Sequence, residues 1–297
     1  MPHIAFGDIL FVMDNSQNIQ ALKEYFTRRD DVVMAFLFGS QAKRYARATS
    51  DWDIGLYFKP SLPHKLELEE DRDYPAEHEV WGAVEKIVHA EVDLVVLNRA
   101  PATIVDTAMR GVPLVMKDQK LWLEFLLRVT SEAIDFRKTA REYADVYWRS
   151  SSLSEGDRYT LNRRLVFLDG ELNLLREYRT LNWTGYQEDN KTRRVVERAI
   201  ENIMNAIIDI SKTLLASEKR EIPQTYRDIV RLAGTIPGAQ QEVADRLSLW
   251  VDLRNILAHE YLDYRWKEIR GFLQESEPYI EKFIDAVKKF LEEGANQ

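Results

Sequence analysis

The sequence predicts an α+β domain, a small mixed sheet with helices, followed by an all-α helical bundle. Three observations predict it. VVMAFLFG (32–39), DWDIGLYF (51–58) and AEVDLVVL (90–97) are short apolar runs rich in β-formers, as buried strands are. From Leu121 onward apolar residues recur at helical spacing for most of the chain. Between these two regimes SSLSEGD (151–157) is a polar break containing Ser and Gly.

The run 32–39 is closed by Gly39 and reads as a central strand. The run 51–58 has a similar apolar body, ended by Pro60 and Pro63. A charged stretch beginning HKLELEEDRDY follows, helical or looped. The run 90–97 is a third strand candidate, and Pro101 and Gly111-Val112-Pro113 punctuate what comes next. LWLEFLLRVTSEAIDFRKTAREYADVYW, starting at Leu121, contains neither Gly nor Pro and reads as one long helix. Helical patterns continue at about 158–180, 191–217, 223–234, 238–261 and 273–293, with Pro223, Pro237 and Pro278 where helices could start. The expected domains are 1–120, a connecting long helix and linker over 121–154, and a bundle over 155–297.

Composition excludes several classes. The chain has 297 residues and 45% hydrophobic content, enough for a sizeable core. Cysteine is absent, so disulfides, thiol catalysis and thiolate metal sites are excluded, and a reducing cytoplasm is the expected location. MPHIAFGDILFVMDN lacks the basic start and long apolar run of a secretory leader. No stretch approaches ~18 uninterrupted apolar residues, so no membrane span is expected. The net charge is −8, so any contact with nucleic acid must be local. Lys191, Arg193, Arg194 and Arg198 form the densest basic cluster, either a solvated surface or a phosphate-contacting patch.

Asp51 and Asp53 stand inside a segment that otherwise reads as a buried strand. Two apart on a strand, they point to one face. Asp93, in AEVDLVVL, could lie on a strand beside them. Each acid has a bland reading, as a turn cap or a strand-edge charge. Together they form an oxygen-rich set of the kind that a hard cation such as magnesium prefers. Gly39-Ser40 directly follows a strand and is expected to open a helix. There the glycine permits close backbone approach and the Ser40 hydroxyl and helix N-terminus favour an anion. Phosphate-binding groups beside metal-binding carboxylates are the parts required for phosphoryl or nucleotidyl transfer.

Gly39-Ser40, ten residues, Asp51-Trp52-Asp53 and the later Asp93 resemble the minimal nucleotidyltransferase (MNT) family of the polymerase-β superfamily, over roughly residues 20–118. The resemblance implies a nucleoside triphosphate, ATP, held by Gly39, Ser40 and Lys43. It implies Mg2+ bound by Asp51, Asp53 and Asp93, with Asp93 also activating the acceptor hydroxyl. Family members often read Gly-Ser-x-Ala-Arg-Gly after the strand. This chain reads GSQAKRYA, with Lys43 keeping a positive charge and Arg44 in place of a glycine.

The helical half contains LRNILAHEYLDYRW (253–266). Arg254 and Tyr261 are seven apart and share a helical face, whereas His259 lies about 140° from Arg254 on an ideal helix. Their convergence needs either a loosened helix near His259 or a second copy of the chain. The alternative is structural, with Arg254 paired to Asp252 or Glu260. An arginine with a titratable histidine suits RNA cleavage, one neutralising phosphorane charge and the other moving protons. Arg254, four residues, His259, one residue, Tyr261 resembles the RxxxxHxY motif of HEPN domains. The text around it resembles HEPN toxins over about 155–297. That resemblance implies a homodimeric five-helix bundle with Arg254 and His259 as a metal-independent ribonuclease site at the dimer interface. It also implies silencing by transfer of AMP to Tyr261.

The simplest reading is an antitoxin-like transferase fused to its toxin-like target. An aminoglycoside-type small-molecule nucleotidyltransferase with a helical substrate domain is the alternative. In that reading the acidic surface attracts a cationic substrate, and some of the seven Trp and 13 Tyr line a pocket. A third reading makes the helical half a dimerisation or nucleotide-sensing scaffold.

Overall fold

A computed structural model describes residues 15–42, 51–61, 66–149, 153–259 and 262–293. Its contacts divide the chain into two units, Met1–Arg137 and Lys138–Gln297. Residues 1–14, Lys43 and Tyr261 lie outside the described residues, as does the side chain of His259.

The first unit is built on four strands among the described residues: β1 (Val32–Phe38), β2 (Trp52–Phe58), β3 (Val92–Val96) and β4 (Val112–Met116). Their order is β3-β2-β1-β4. β1 pairs antiparallel with both β2 and β4, and β2 pairs parallel with β3, which makes the sheet mixed. The parallel pair needs a crossover, and α2 (Glu77–Val88) lies in it.

Side chains alternate across the sheet and both faces are covered. Trp52, Ile54, Leu56 and Phe58 pack with Leu22 and Phe26 of α1 (Ser16–Arg28) and with Val80 and Val84 of α2. The other face carries Met34, Phe36 and Tyr57. They pack with Val105 and Ala108 of α3 (Ala102–Met109) and with Phe125 and Val129 of α4 (Gln119–Tyr147).

β4 departs from the sequence reading, which treats Gly111-Val112-Pro113 as punctuation. Proline removes a ladder donor and is confined to edges and irregular positions. β4 is one of the two edge strands, and its pairing with β1 shifts register between Ala35 and Phe36, where Pro113 is the partner. Gly39-Ser40 also departs from expectation. Residues 39–42 form turns rather than the start of a helix, and 43–50 lie outside the described residues.

In the second unit, α5 (Glu155–Arg176) buries Leu161, Leu165, Leu168, Leu172 and Leu175, one stripe at helical spacing. Ser154 opens it with a capping box, exchanging hydrogen bonds with Asp157. α6 (Trp183–Glu188) follows, a short helix that the sequence reading omits. α7 (Asn190–Ser217) is the most buried helix of this unit, with Ile200, Ile203, Met204, Ile207 and Ile210 inside.

α8 (Tyr226–Leu232) is capped by Thr225 and runs into a 3-10 turn, Ala233–Thr235. The expected helix over 238–261 is broken into α9 (Gln241–Ser248) and α10 (Leu253–His259). Tight i→i−3 bonds from Trp250, Val251 and Leu253 fill the gap. α11 (Leu262–Glu275) and α12 (Glu277–Glu293) complete the unit. No described helix is long and apolar enough to cross a membrane.

Candidate active site

The carboxylates meet at one end of the sheet. β2 and β3 are in register, so Asp53 lies directly beside Asp93, and Phe38 lies beside Asp53 on the other side. Asp53 shares the parity of Tyr57, and Asp93 that of Val95, so both project to the face covered by α3 and α4. Asp51 sits one residue ahead of β2 and is exposed, as is Asp93, whereas Asp53 is half-buried.

Gly39 closes β1 against this group with φ +66°, a left-handed conformation that glycine adopts without strain. A Cβ at this position would stand 1.9 Å from Asp53 Oδ2, so only a bare Cα admits the carboxylate. The next residue, Ser40, donates its backbone N–H to the Asp53 carboxyl. The sequence pair Gly39-Ser40 is thus fitted to Asp53 by shape and by hydrogen bonding.

Burial pushes the Asp53 carboxyl above the ordinary carboxylate range. The charges of Asp93 and Asp51 push the same way, and the Ser40 amide opposes them. No three carboxylate or imidazole groups among the described residues are gathered closely enough to cage an ion by themselves. Asp51, Asp53 and Asp93 offer only oxygen donors, which a hard cation such as magnesium prefers, with substrate phosphates and water completing its shell.

The structure adds a group that the sequence reading misses. Asp106 of α3 is 2% exposed, and a buried carboxylate requires partners. Arg110 reaches its Oδ1 at 3.0 Å and Arg137 of α4 its Oδ2 at 2.5 Å. Burial pushes this carboxyl up, but the two guanidiniums outweigh burial and hold it below the usual range. The Asp106–Arg110 spacing of four is legible in ATIVDTAMR. Arg137, thirty-one residues from Asp106, is not. The three line a cleft of about 620 Å³ together with Phe38, Gly39 and Ala42.

In the second unit, the Arg254 guanidinium on α10 lies over the Tyr226 ring, 4.7 Å from its centroid. The Tyr226 and Thr139 hydroxyls are 3.3 Å apart. Asp252, a suggested partner of Arg254, is instead ion-paired with Arg227. Glu260, the other suggested partner, lies outside the described residues, and the contact shown for Arg254 is the aromatic face of Tyr226. His259 is the last residue of α10, and α11 begins at Leu262.

Residues 20–120 match the family described as polymerase beta, nucleotidyltransferase. Residues 168–287 match the family described as ribonuclease HepT-like. No curated protein matches the chain. One solved structure, a toxin–antitoxin crystal structure with AMP-PNP, is 20% identical over 45% of this chain and 97% of that one, with a TM-score of 0.34. On the two family matches and the paired carboxylates, the chain joins a nucleotidyltransferase domain of the polymerase-beta type to a HepT-like domain.

Proposed function

We propose that the N-terminal domain transfers AMP from ATP to Tyr261 of the HepT-like domain, and that this silences an RNA-cleaving site built on Arg254 and His259. The observation that carries the transferase half is the fit of Gly39 and Ser40 around an Asp53 in register with Asp93. Magnesium bound by Asp51, Asp53 and Asp93 would orient the triphosphate and neutralise charge building on the leaving group. The Asp93 carboxylate accepts the phenol proton of Tyr261 as the phenolic oxygen bonds to the α-phosphorus. The bond from that phosphorus to the α–β bridging oxygen breaks, and pyrophosphate leaves. Gly39 and Ser40, with Lys43, hold the triphosphate in line for this attack.

In the HepT-like domain, the RNA's own 2′-hydroxyl attacks the adjacent phosphorus and the 5′-oxygen leaves. His259 moves the proton, and Arg254 stabilises the charge that develops on the phosphorane. AMP on Tyr261 places a bulky anion two residues from His259. It pairs with Arg254 and repels RNA phosphates. Joining both domains in one chain raises the effective concentration of the acceptor at the transferase site.

The test is incubation with magnesium and ATP labelled on either the α- or the γ-phosphate. The reading expects covalent label from the α-position alone, and none with Asp53→Asn. Retained γ-label would mean phosphoryl rather than nucleotidyl transfer. Undiminished α-label with Asp53→Asn would end the assignment of the site.

A further inference from the structure

We propose that Arg110 and Arg137, clamped on buried Asp106, form the polyphosphate-binding wall of the cleft beside Gly39. The proposal rests on the transferase reading and names the part of the substrate this cleft receives.

Three observations carry it. The first is charge. Among the residues lining the cleft, the charged ones are Asp106, Arg110 and Arg137. One carboxylate cannot neutralise two guanidiniums, so the wall is cationic in a chain of net charge −8. Neutralising a buried carboxylate needs one arginine; the second supplies a surplus charge at the surface of the cleft.

The second is preorganisation. Arg110 spends Nε and Nη2 on Asp106 Oδ1, and Arg137 spends Nη2 on Oδ2. Each guanidinium has five N–H donors in a fixed fork, so each keeps donors beyond those bonds. The Asp106 side chain is 2% exposed, while those of Arg110 and Arg137 are 67% and 44% exposed. A rigid buried anchor thus holds two forks in position at the solvent side, the geometry that suits bidentate phosphate recognition.

The third is place. Gly39 lines this cleft and its Cα also backs the Asp53 carboxylate, so the cationic wall and the carboxylates border the same turn. Both lie on the α3/α4 face of the sheet. Gly111 borders the cleft too, packed so closely on β1 that a Cβ would stand 2.1 Å from the Leu37 carbonyl oxygen. A volume of about 620 Å³ is that of a small-molecule site. A polyphosphate, with several anionic groups in a row, suits a cleft that has two guanidiniums on its wall and the candidate metal-binding carboxylates at its border.

The experiment measures binding of inorganic tripolyphosphate to the full chain in EDTA by calorimetry, for wild type, Arg110→Gln, Arg137→Gln and Lys86→Gln. Lys86 is exposed on α2 and makes the same change of charge elsewhere in the unit. The expected result is about tenfold weaker binding for each arginine variant and no change for Lys86→Gln. Thermal melting of Arg110→Gln and Arg137→Gln checks that both still fold. A matching rise in KM for ATP during transfer assigns the wall to the incoming triphosphate. An unchanged KM assigns it to the released pyrophosphate, and both support a polyphosphate site. Wild-type affinity in Arg110→Gln and Arg137→Gln would overturn the proposal, as would equal weakening by Lys86→Gln. Tripolyphosphate binding in a wild-type chain that transfers no nucleotide would remove the transferase reading and leave the polyphosphate site standing.

Discussion

Replacing Gly39 by alanine tests the fit at the centre of the candidate site. The new Cβ would stand 1.9 Å from Asp53 Oδ2 and 2.6 Å from its Cγ. Non-bonded heavy atoms rest at about 3.5 Å, so the carboxylate must withdraw by well over an ångström. A displacement of about 1 Å at a reacting centre costs on the order of 100-fold in rate. The backbone adds its own penalty, because φ is +66° and a left-handed alanine costs about 1 kcal/mol. Loss of the Ser40 amide bond to the carboxylate brings the total to roughly 2–3 kcal/mol. The expected outcome is a Tm lowered by roughly 5–12 °C, together with AMP transfer reduced by on the order of 100-fold. Gly82→Ala is the control. It lies in α2 with nothing within 4 Å of its added Cβ. It should leave transfer unchanged and raise stability by up to about 1 kcal/mol. Melting curves and intact-protein mass after incubation with magnesium and ATP report both quantities. A Gly39→Ala protein that melts and transfers like wild type would refute the reasoning.

Asp53→Asn should abolish transfer yet raise Tm in EDTA, because it removes a half-buried charge repelled by Asp93 and Asp51; a lowered Tm would contradict this. Asp106→Asn should cost about 2–3 kcal/mol near pH 7, by leaving two arginines without their buried partner. Because the folded-state Asp106 carboxyl is held below its unfolded value, its contribution is fully present above the unfolded value and is lost as pH falls through the folded one. The stability gap between wild type and Asp106→Asn should therefore close in acid, and an equal gap at pH 7 and at the acid limit of folding would sink the assignment. Arg254→Ala should abolish RNA cleavage while leaving AMP transfer intact, and should cost only about 0.5–1 kcal/mol through the lost Tyr226 stacking; cleavage that survives it would remove Arg254 from the site.

What was legible in the sequence follows from where each signal was stored. β1, β2 and β3 announce themselves because strands covered on both faces read as continuous apolar runs. β4 hid behind Pro113, whose missing N–H is tolerated only because the strand is at the edge. The break between α9 and α10 carries neither Gly nor Pro; Trp250, Val251 and Leu253 are all buried, so tertiary packing overrides a helical pattern there. Asp51, Asp53 and Asp93 could be picked out because charge is rare in buried strands; parity addresses Asp51 and Asp53, and Asp93 is expected on a strand beside them, where β3 pairs it with Asp53. Gly39-Ser40 reads equally as a turn or as a helix start; residues 39–42 form turns, and the residues that would continue a helix, 43–50, lie outside the described residues. Asp106 stayed invisible because its second partner, Arg137, is set by how α3 and α4 pack, a long-range fact with no local sequence trace.

The most direct test of the account is the intact mass of the purified, unmodified chain before and after incubation with magnesium and ATP, for wild type and for Tyr261→Phe. The account predicts whole AMP increments on wild type that vanish in Tyr261→Phe, with RNA cleavage falling as the increment appears. No increment on wild type, or the same increment on Tyr261→Phe, would contradict it.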